Sequence, residues 1–417
     1  MTFMNIVVYI SIYIGLFTIS FYILSMIAAK KKVVQEYKFE ELPKTSILIA
    51  MFNEEKTIKK TIESALNINY PKGKLELIVI DDGSNDKSLS IAKKFEGMRN
   101  GIKVKVLHQE NTGKGGALNA GLKIAKGDII VSMDADTYVE KNSLKAMNRF
   151  FKKPEVMCVT PSMIPYKPKG ILQRIQHAEY LLGIFLRSAF ASVNAEHIAP
   201  GAFSSYRKWF FDKYGGYDVG NITEDLEVTF RIQYKGYEIE NCPEALVYTV
   251  APTKFKELLI QRRRWYSGLI HNTIKYRKLF SRKYGDLGTF VLPIAWISIF
   301  FSVFFLFYMV IEGISSAFSE ISFLVSINFH FGSLLEFNKY FFERILFTYL
   351  ADPIIIFFLL FVGMMIFYAK YATNRIGKTG NFSISLFFFL ILYPIIFGFW
   401  WVVTLIYNLF NKEVTWR

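Results

Sequence analysis

Leu75-Glu76-Leu77-Ile78-Val79-Ile80-Asp81-Asp82-Gly83-Ser84-Asn85-Asp86 decides the fold. A short, nearly continuous apolar run bounded by turn residues reads as a buried strand. It ends on two carboxylates and a glycine that suits a tight turn. The same grammar stands on either side. Upstream, Thr45–Met51 is a β-type run that breaks at Phe52-Asn53-Glu54-Glu55, and Lys56–Asn67 then shows helical spacing at Ile58, Ile62 and Leu66. Downstream, Lys87–Phe95 is helical, Val104–Leu107 extended, Ala117–Ala125 helical, and Asp128–Met133 a strand that ends on Asp134-Ala135-Asp136. This alternation predicts an α/β unit with a mostly parallel sheet covered by helices on both faces. Ligands of such sheets sit outside the carboxyl ends of the strands, where Asn53-Glu54, Asp81-Asp82 and Asp134-Ala135-Asp136 fall.

Each polar cluster has a bland and a chemical reading. Asp134 and Asp136 are either solvated turn carboxylates or paired hard oxygens suited to Mg²⁺ or Mn²⁺ held largely by a substrate's phosphates. Asp82 belongs to turn chemistry or accepts the imide N–H of a uracil. Asn111-Thr112-Gly113-Lys114-Gly115-Gly116 opens a helix, so it offers backbone N–H groups and one cation to a diphosphate, though without the spacing of a nucleotide-triphosphate loop. Thr223-Glu224-Asp225 before the helix Leu226–Tyr234 is an N-cap with acidic residues in its first turn, or it supplies a general base. Gln261-Arg262-Arg263-Arg264-Trp265 lies on a helix over Lys254–Lys275. There it anchors to anionic lipid, or it offers an indole to a sugar with a glutamine and an arginine on adjoining faces.

The chain has 417 residues, 52% of them apolar, with 50 Lys and Arg against 35 Asp and Glu. Such apolar content excludes a disordered chain. Cys158 and Cys242 form neither a disulfide scaffold nor a metal-ligand spacing. Ile6–Ala29 is long enough to cross a bilayer of ~30 Å. Lys30-Lys31-Lys32 follow it, which places residue 30 onward in the cytoplasm by the positive-inside rule and makes the segment an uncleaved anchor. Phe290–Ile311 and Ile345–Ala369 read as further crossings, with Glu312–Glu343 outside. Phe382–Phe410 contains Pro394, so it is either one crossing or a re-entrant pair of half-helices. The basic runs flank these segments, where lipid headgroups account for them, and nothing resembles a nucleic-acid-binding motif.

Taken in order, Asp82, Asp134-x-Asp136, Thr223-Glu224-Asp225 and Gln261-x-x-Arg264-Trp265 resemble the signature of inverting family 2 glycosyltransferases with the GT-A (Rossmann-like) fold. Met51-Phe52-Asn53-Glu54, the run from Asn111 to Gly121, and Gly201-Ala202-Phe203 add to it. The resemblance covers nearly the whole chain and is closest to membrane synthases of β-linked polysaccharides, most of all bacterial poly-N-acetylglucosamine synthases, with hyaluronan, chitin and cellulose synthases beside them. It implies an anchor at 1–32, a cytoplasmic transferase unit at 33–250, interface helices at 251–288 and C-terminal membrane helices at 289–417, the last segment open to re-entry, in a multi-pass protein of the cell membrane. It implies a UDP-sugar donor, UDP-N-acetylglucosamine by overall architecture alone. Asn53, Glu54, Asp82, Lys114 and Asp134 would contact the donor, Asp136 the metal, and Gln261, Arg264 and Trp265 the diphosphate and acceptor. Asp225, with Glu224 beside it, would be the general base.

Val414-Thr415-Trp416-Arg417 is similar to a Trp/Arg gating motif of hyaluronan synthases at a different spacing, and it requires re-entry of the last segment. Membrane helices fewer than in cellulose synthases imply a pore that is narrow or completed by a small accessory subunit. Two other readings stay open: transfer of one sugar to a lipid, and an inactive transport or assembly subunit.

Overall fold

The computed structural model describes residues 3–29, 37–326, 353–376 and 382–410. A nine-stranded sheet runs in the order β3-β4-β2-β1-β5-β8-β7-β9-β6. Its strands are β1 (Thr45–Met51), β2 (Leu75–Asp82), β3 (Gly97–Arg99), β4 (Ile102–Gln109), β5 (Ile129–Asp134), β6 (Thr137–Val139), β7 (Val156–Pro165), β8 (Ser204–Arg207) and β9 (Glu238–Thr249). The block β4-β2-β1-β5 is parallel, as expected, and β1 pairs in register with both β2 and β5. Beyond it the sheet is mixed: β8 runs antiparallel to β5 and β7, β7 pairs parallel to β9, and β6 closes antiparallel on β9. The expectation of a mostly parallel sheet therefore holds only for the nucleotide-type half.

Period-2 alternation splits the strands between two cores. Ile47, Ile49, Leu77 and Val79 pack with Ile58, Ile62 and Ala65 of α2 (Ile58–Leu66) and with Leu144 and Met147 of α5 (Ser143–Asn148). Leu48, Ile78 and Ile80 face the other way, onto Ala117 and Leu118 of α4 (Gly113–Ile124) and Ile232 of α8 (Glu224–Tyr234). Helices thus cover both faces.

The element that joins this unit to the apolar helices is α6 (Gly170–Ser192), which the sequence reading does not identify. Ile175, Ala178, Leu182, Phe185 and Ala189 recur at three- and four-residue steps, one helix face. They share a core with Ile19 and Tyr22 of α1 (Phe3–Ala28), Tyr368 and Ala369 of α11 (Pro353–Ile376) and Phe389 of α12 (Phe382–Leu409). Leu181 and Ile184 face Ile164 and Leu246 of the sheet. Phe185 stacks on Tyr368 with ring centroids 3.6 Å apart, and the Tyr368 hydroxyl donates to the Ile19 carbonyl at 2.9 Å.

Among the described residues, three helices are long and apolar enough to cross a membrane: Phe3–Ala28, Leu287–Ser326 and Ser383–Leu409. One detail differs from expectation, and a second bears on the two alternatives for the last segment. The crossing expected to end at Ile311 continues unbroken in α10 (Leu292–Ser326), since a lone Gly313 costs only about 1 kcal/mol in a helix. Pro394 lies inside one continuous α12, whereas re-entry needs a break there. Lys30–Lys32 and residues 345–352 of the third expected crossing fall outside the described residues.

Gly127 marks the closest approach of α4's exit to the central strand. A Cβ there would lie 2.5 Å from the Ser46 nitrogen and 2.7 Å from the Thr45 carbonyl carbon. Since both are backbone atoms of β1, they have little room to yield. Gly127→Ala is expected to destabilise the chain by about 1–3 kcal/mol, read as a lower thermal unfolding midpoint in detergent. An unchanged midpoint would show that β1 is free to shift.

Candidate active site

Turn chemistry first builds the floor of the site. Asn53, with a left-handed φ of 55°, receives the Asn85 N–H on its Oδ1 at 2.9 Å while its own N–H donates to Ser84 Oγ at 3.0 Å. Glu54 N–H donates to Ser88 Oγ at 2.7 Å. The loops after β1 and β2 are therefore stitched to each other. Asp82 Oδ1 accepts from Thr112 N–H (3.0 Å), Thr112 Oγ (3.2 Å) and Gln109 Nε2 (2.8 Å), fixing the entry to α4. Its neighbour Asp81 is fully buried; Oδ2 meets His108 Nδ1 at 2.7 Å, whereas Oδ1 has no partner among the described residues.

Above this floor, Lys114 gathers the carboxylates. Its Nζ lies 2.7 Å from Asp134 Oδ1 and 2.9 Å from Glu224 Oε1. Burial alone would lower its pKa, but Asp134, Glu224 and Asp225 together hold it well above the ordinary lysine value. Glu224 is raised by burial, against Lys114. Asp225 is steered by backbone: the Gly201 N–H donates to Oδ2 at 2.9 Å and the Leu226 N–H to Oδ1 at 2.8 Å. Gly201 leaves no space to spare, because a Cβ there would sit 2.5 Å from Lys114 Nζ, 3.0 Å from Asp225 Oδ2 and 3.4 Å from Asp134 Oδ1. A run of sequence far from β5 thus supplies the point at which the acids meet.

Asp136 is pushed up to about 7 by burial and by the charges of Asp134 and Glu54, with Lys114 pulling the other way. A buried group of acids at a strand end fits a divalent ion. Among the described residues no group of three or more His, Cys, Asp or Glu forms a closed metal cage.

The basic helix α9 (Phe255–Lys275) docks onto this cluster. Gly268 lets it pass Thr223, where a Cβ would fall 2.1 Å from Oγ1. Asn272 Nδ2 donates to Thr223 Oγ1 at 3.1 Å, and Asn221 Nδ2 donates to Asn272 Oδ1 at 2.8 Å. The Thr-Glu-Asp turn and the Gln-x-x-Arg-Trp helix are consequently one assembly. Gln261 Oε1 is buried without a partner among the described residues, an acceptor left for a ligand's hydroxyl. Arg264 and Trp265 are half-buried beside it. Trp416 and Arg417 lie outside the described residues.

Sequence reasoning missed four contributors. The Gly201 N–H was matched only as part of a motif, and Asn272 and Gly268 carry no chemical signature. Tyr180 of α6 is buried, which raises its hydroxyl to about 12, and Arg262 and Asp136 are among the charges that act on it. An acid and polar residues along an otherwise apolar helix (Gln173, Gln176, Glu179) were the available signal.

Residues 46–215 match the family model for glycosyl transferase family 2. The chain is 33% identical over 264 residues to the poly-beta-1,6-N-acetyl-D-glucosamine synthase of Staphylococcus aureus (strain COL), covering 63% of each. It is 30% identical over 282 residues to the synthase of the same name from Staphylococcus epidermidis, covering 65% of this chain and 67% of that one. The chain belongs to glycosyl transferase family 2. Its fold is shared with a mannosyltransferase from Pyrobaculum calidifontis, solved with GDP-mannose and Mn²⁺, at 16% identity and a TM-score of 0.60 over 97% of this chain and 99% of that one. This confirms the GT-A architecture. The matched region spans 63% of the length of the Staphylococcus aureus relative.

Lys114→Met would strand Glu224 as an uncompensated buried charge. We expect a loss of about 3 kcal/mol in unfolding stability, largely restored in the Lys114→Met, Glu224→Gln double variant. Equal stability of the two variants would show that the pair is not coupled.

Proposed function

We propose that the chain is an inverting membrane hexosyltransferase that moves a sugar from a UDP-sugar, UDP-N-acetylglucosamine first among them, onto a growing β-linked polysaccharide. The observation that carries this reading is the junction at Gly201, where Asp225, Lys114 and Asp134 face one point. The names of the staphylococcal relatives support the donor and product. We further assign residues 1–32 as an anchor, 33–250 as a cytoplasmic transferase unit, 251–288 as interface helices and 289–417 as the C-terminal membrane part of a multi-pass protein.

Each role follows from position. Asp225, its Oδ2 aimed by the Gly201 N–H, takes the proton of the acceptor hydroxyl as that oxygen attacks the anomeric carbon. The electrons of the broken C–O bond leave with UDP. A single displacement turns an α-linked donor into a β-linked product, and no covalent enzyme intermediate forms. Glu224, tied to Lys114, fixes the first turn of α8 and hence the direction of Asp225. Lys114 and Arg264 meet negative charge developing on the departing diphosphate, a preorganised electrostatic contribution. Asp82, with Asp81 and Asn53 beside it, faces the nucleoside at the strand ends, and Glu54 and Asp134 border the donor. Asp136, with Asp134 adjoining, would hold Mg²⁺ or Mn²⁺. When bound, such a cation neutralises the diphosphate and assists its departure. Gln261 and Trp265 hold the terminal acceptor sugar by hydrogen bond and stacking.

UDP release by purified protein with UDP-N-acetylglucosamine and Mn²⁺ tests this. Wild type is expected to turn over, to stop with a chelator, and to produce high-mass polymer. Asp225→Asn is expected to lose about 10³-fold. An organic-extractable glycolipid as the only product would overturn the polymerase assignment. Full turnover by Asp225→Asn, or none by wild type across UDP-sugars, would overturn the chemistry.

A further inference from the structure

Arg262, inside the Gln-x-x-Arg-Trp segment but not one of its key positions, is the most completely buried residue of that segment, at 2% exposure. Its guanidinium meets Glu179 of α6 bidentately, Nη1 to Oε1 at 2.8 Å and Nη2 to Oε2 at 2.7 Å. The Tyr393 hydroxyl, from α12 and next to Pro394, donates to the same Oε1 at 2.9 Å. The Arg262 guanidinium carbon also lies 4.4 Å from the ring centre of Trp265 and 5.5 Å from that of Trp400. One cation therefore links the sheet-bound helix α6, the apolar helix α12 and the indole of the acceptor platform.

A guanidinium is planar and forked, so a bidentate carboxylate sets its plane, and an aromatic ring packed against it takes up a defined tilt. Arg262 and Trp265 are three residues apart, neighbours on one helix face. The carboxylate is in turn oriented by the Tyr393 hydroxyl. Further pins hold the same two helices: Asn408 Nδ2 donates to Ser267 Oγ at 2.9 Å, the Arg263 guanidinium lies 4.1 Å from the Tyr407 ring centre, and Tyr266 stacks on Trp401 at 4.4 Å. Those contacts fix the helix axis. The Glu179–Arg262–Tyr393 set reaches Trp265 itself, through the Arg262 guanidinium.

We infer that Glu179, Arg262 and Tyr393 form a positioning clamp for the acceptor, which sets the plane of Trp265 from α12. The inference rests on the transferase reading for the identity of the ligand and on geometry for the clamp. None of the three residues touches a reacting atom, so they are positioning residues. Movement of α12 would thereby change how the terminal acceptor sugar is presented.

The test compares wild type, Tyr393→Phe and Glu179→Gln, each also in a Trp265→Phe background, in the full chain. Acceptor KM is measured with N-acetylglucosamine oligosaccharides and donor KM with UDP-N-acetylglucosamine. Tyr393→Phe, the mildest change, is expected to raise acceptor KM about fivefold, as for loss of one ordinary hydrogen bond, with donor KM unchanged. In the Trp265→Phe background the same change is expected to have almost no effect, because the two residues act through one another. Equal effects in both backgrounds, or donor and acceptor KM rising together, would overturn the clamp. A second readout needs no turnover: the fluorescence contributed by Trp265, wild type minus Trp265→Phe, is expected to shift in Glu179→Gln. An unshifted emission would overturn the clamp even for a chain that releases no UDP, a result that would instead remove the transferase reading.

Discussion

A single ammonium group, Lys114 Nζ, holds together acids that would otherwise drive each other apart. Asp134 arrives from the end of a central strand and Glu224 from the start of a helix some hundred residues on, yet both lie within 3 Å of it. The Gly201 N–H then selects one oxygen of the adjacent Asp225. Asp136, raised by burial first and then by the charges of Asp134 and Glu54, adds a further acid to the cluster. On the proposed reading this cluster takes a divalent cation, and the cation an anionic diphosphate.

The second constraint is mechanical. Helix α6 is apolar toward α1, α11 and α12, apolar toward the sheet, and polar along the strip that includes Glu179 and Tyr180. Since close-packed interiors transmit displacement instead of absorbing it, the bilayer-type helices and the acid cluster form one body. The basic helix α9 completes the connection, keyed to Thr223 by Gly268 and Asn272 and to α12 by Ser267. The acid cluster at the strand ends and the long apolar helices are therefore adjacent by construction.

Local features were legible in the sequence. Thr45–Met51 reads as a strand because its apolar run is short and ends in turn residues, and the structure has it with those bounds. Asp134-x-Asp136 advertises itself in the same way, as does the family signature as a set. Contacts between distant segments were not legible. Glu179 and Arg262 are 83 residues apart, and α6 is hard to recognise because a helix buried on two sides loses the one-faced periodicity that marks a surface helix. The antiparallel insertion of β8 escapes for a similar reason: Ser204–Arg207 is too short to carry a pattern of its own. Asp82 reads in the sequence as turn chemistry or as an acceptor for a base, and only the structure shows its Oδ1 engaged by Thr112 and Gln109. Its neighbour Asp81 keeps the unpartnered oxygen.

The most direct test of the central claim, that the acid cluster receives a metal–nucleotide pair, is electron paramagnetic resonance of Mn²⁺ titrated into the protein with and without UDP. The account expects Mn²⁺ to be immobilised far more tightly with UDP than without it, and this gain to vanish in Asp136→Asn. Mn²⁺ and UDP binding independently of each other, or undiminished binding of both in Asp136→Asn, would contradict it.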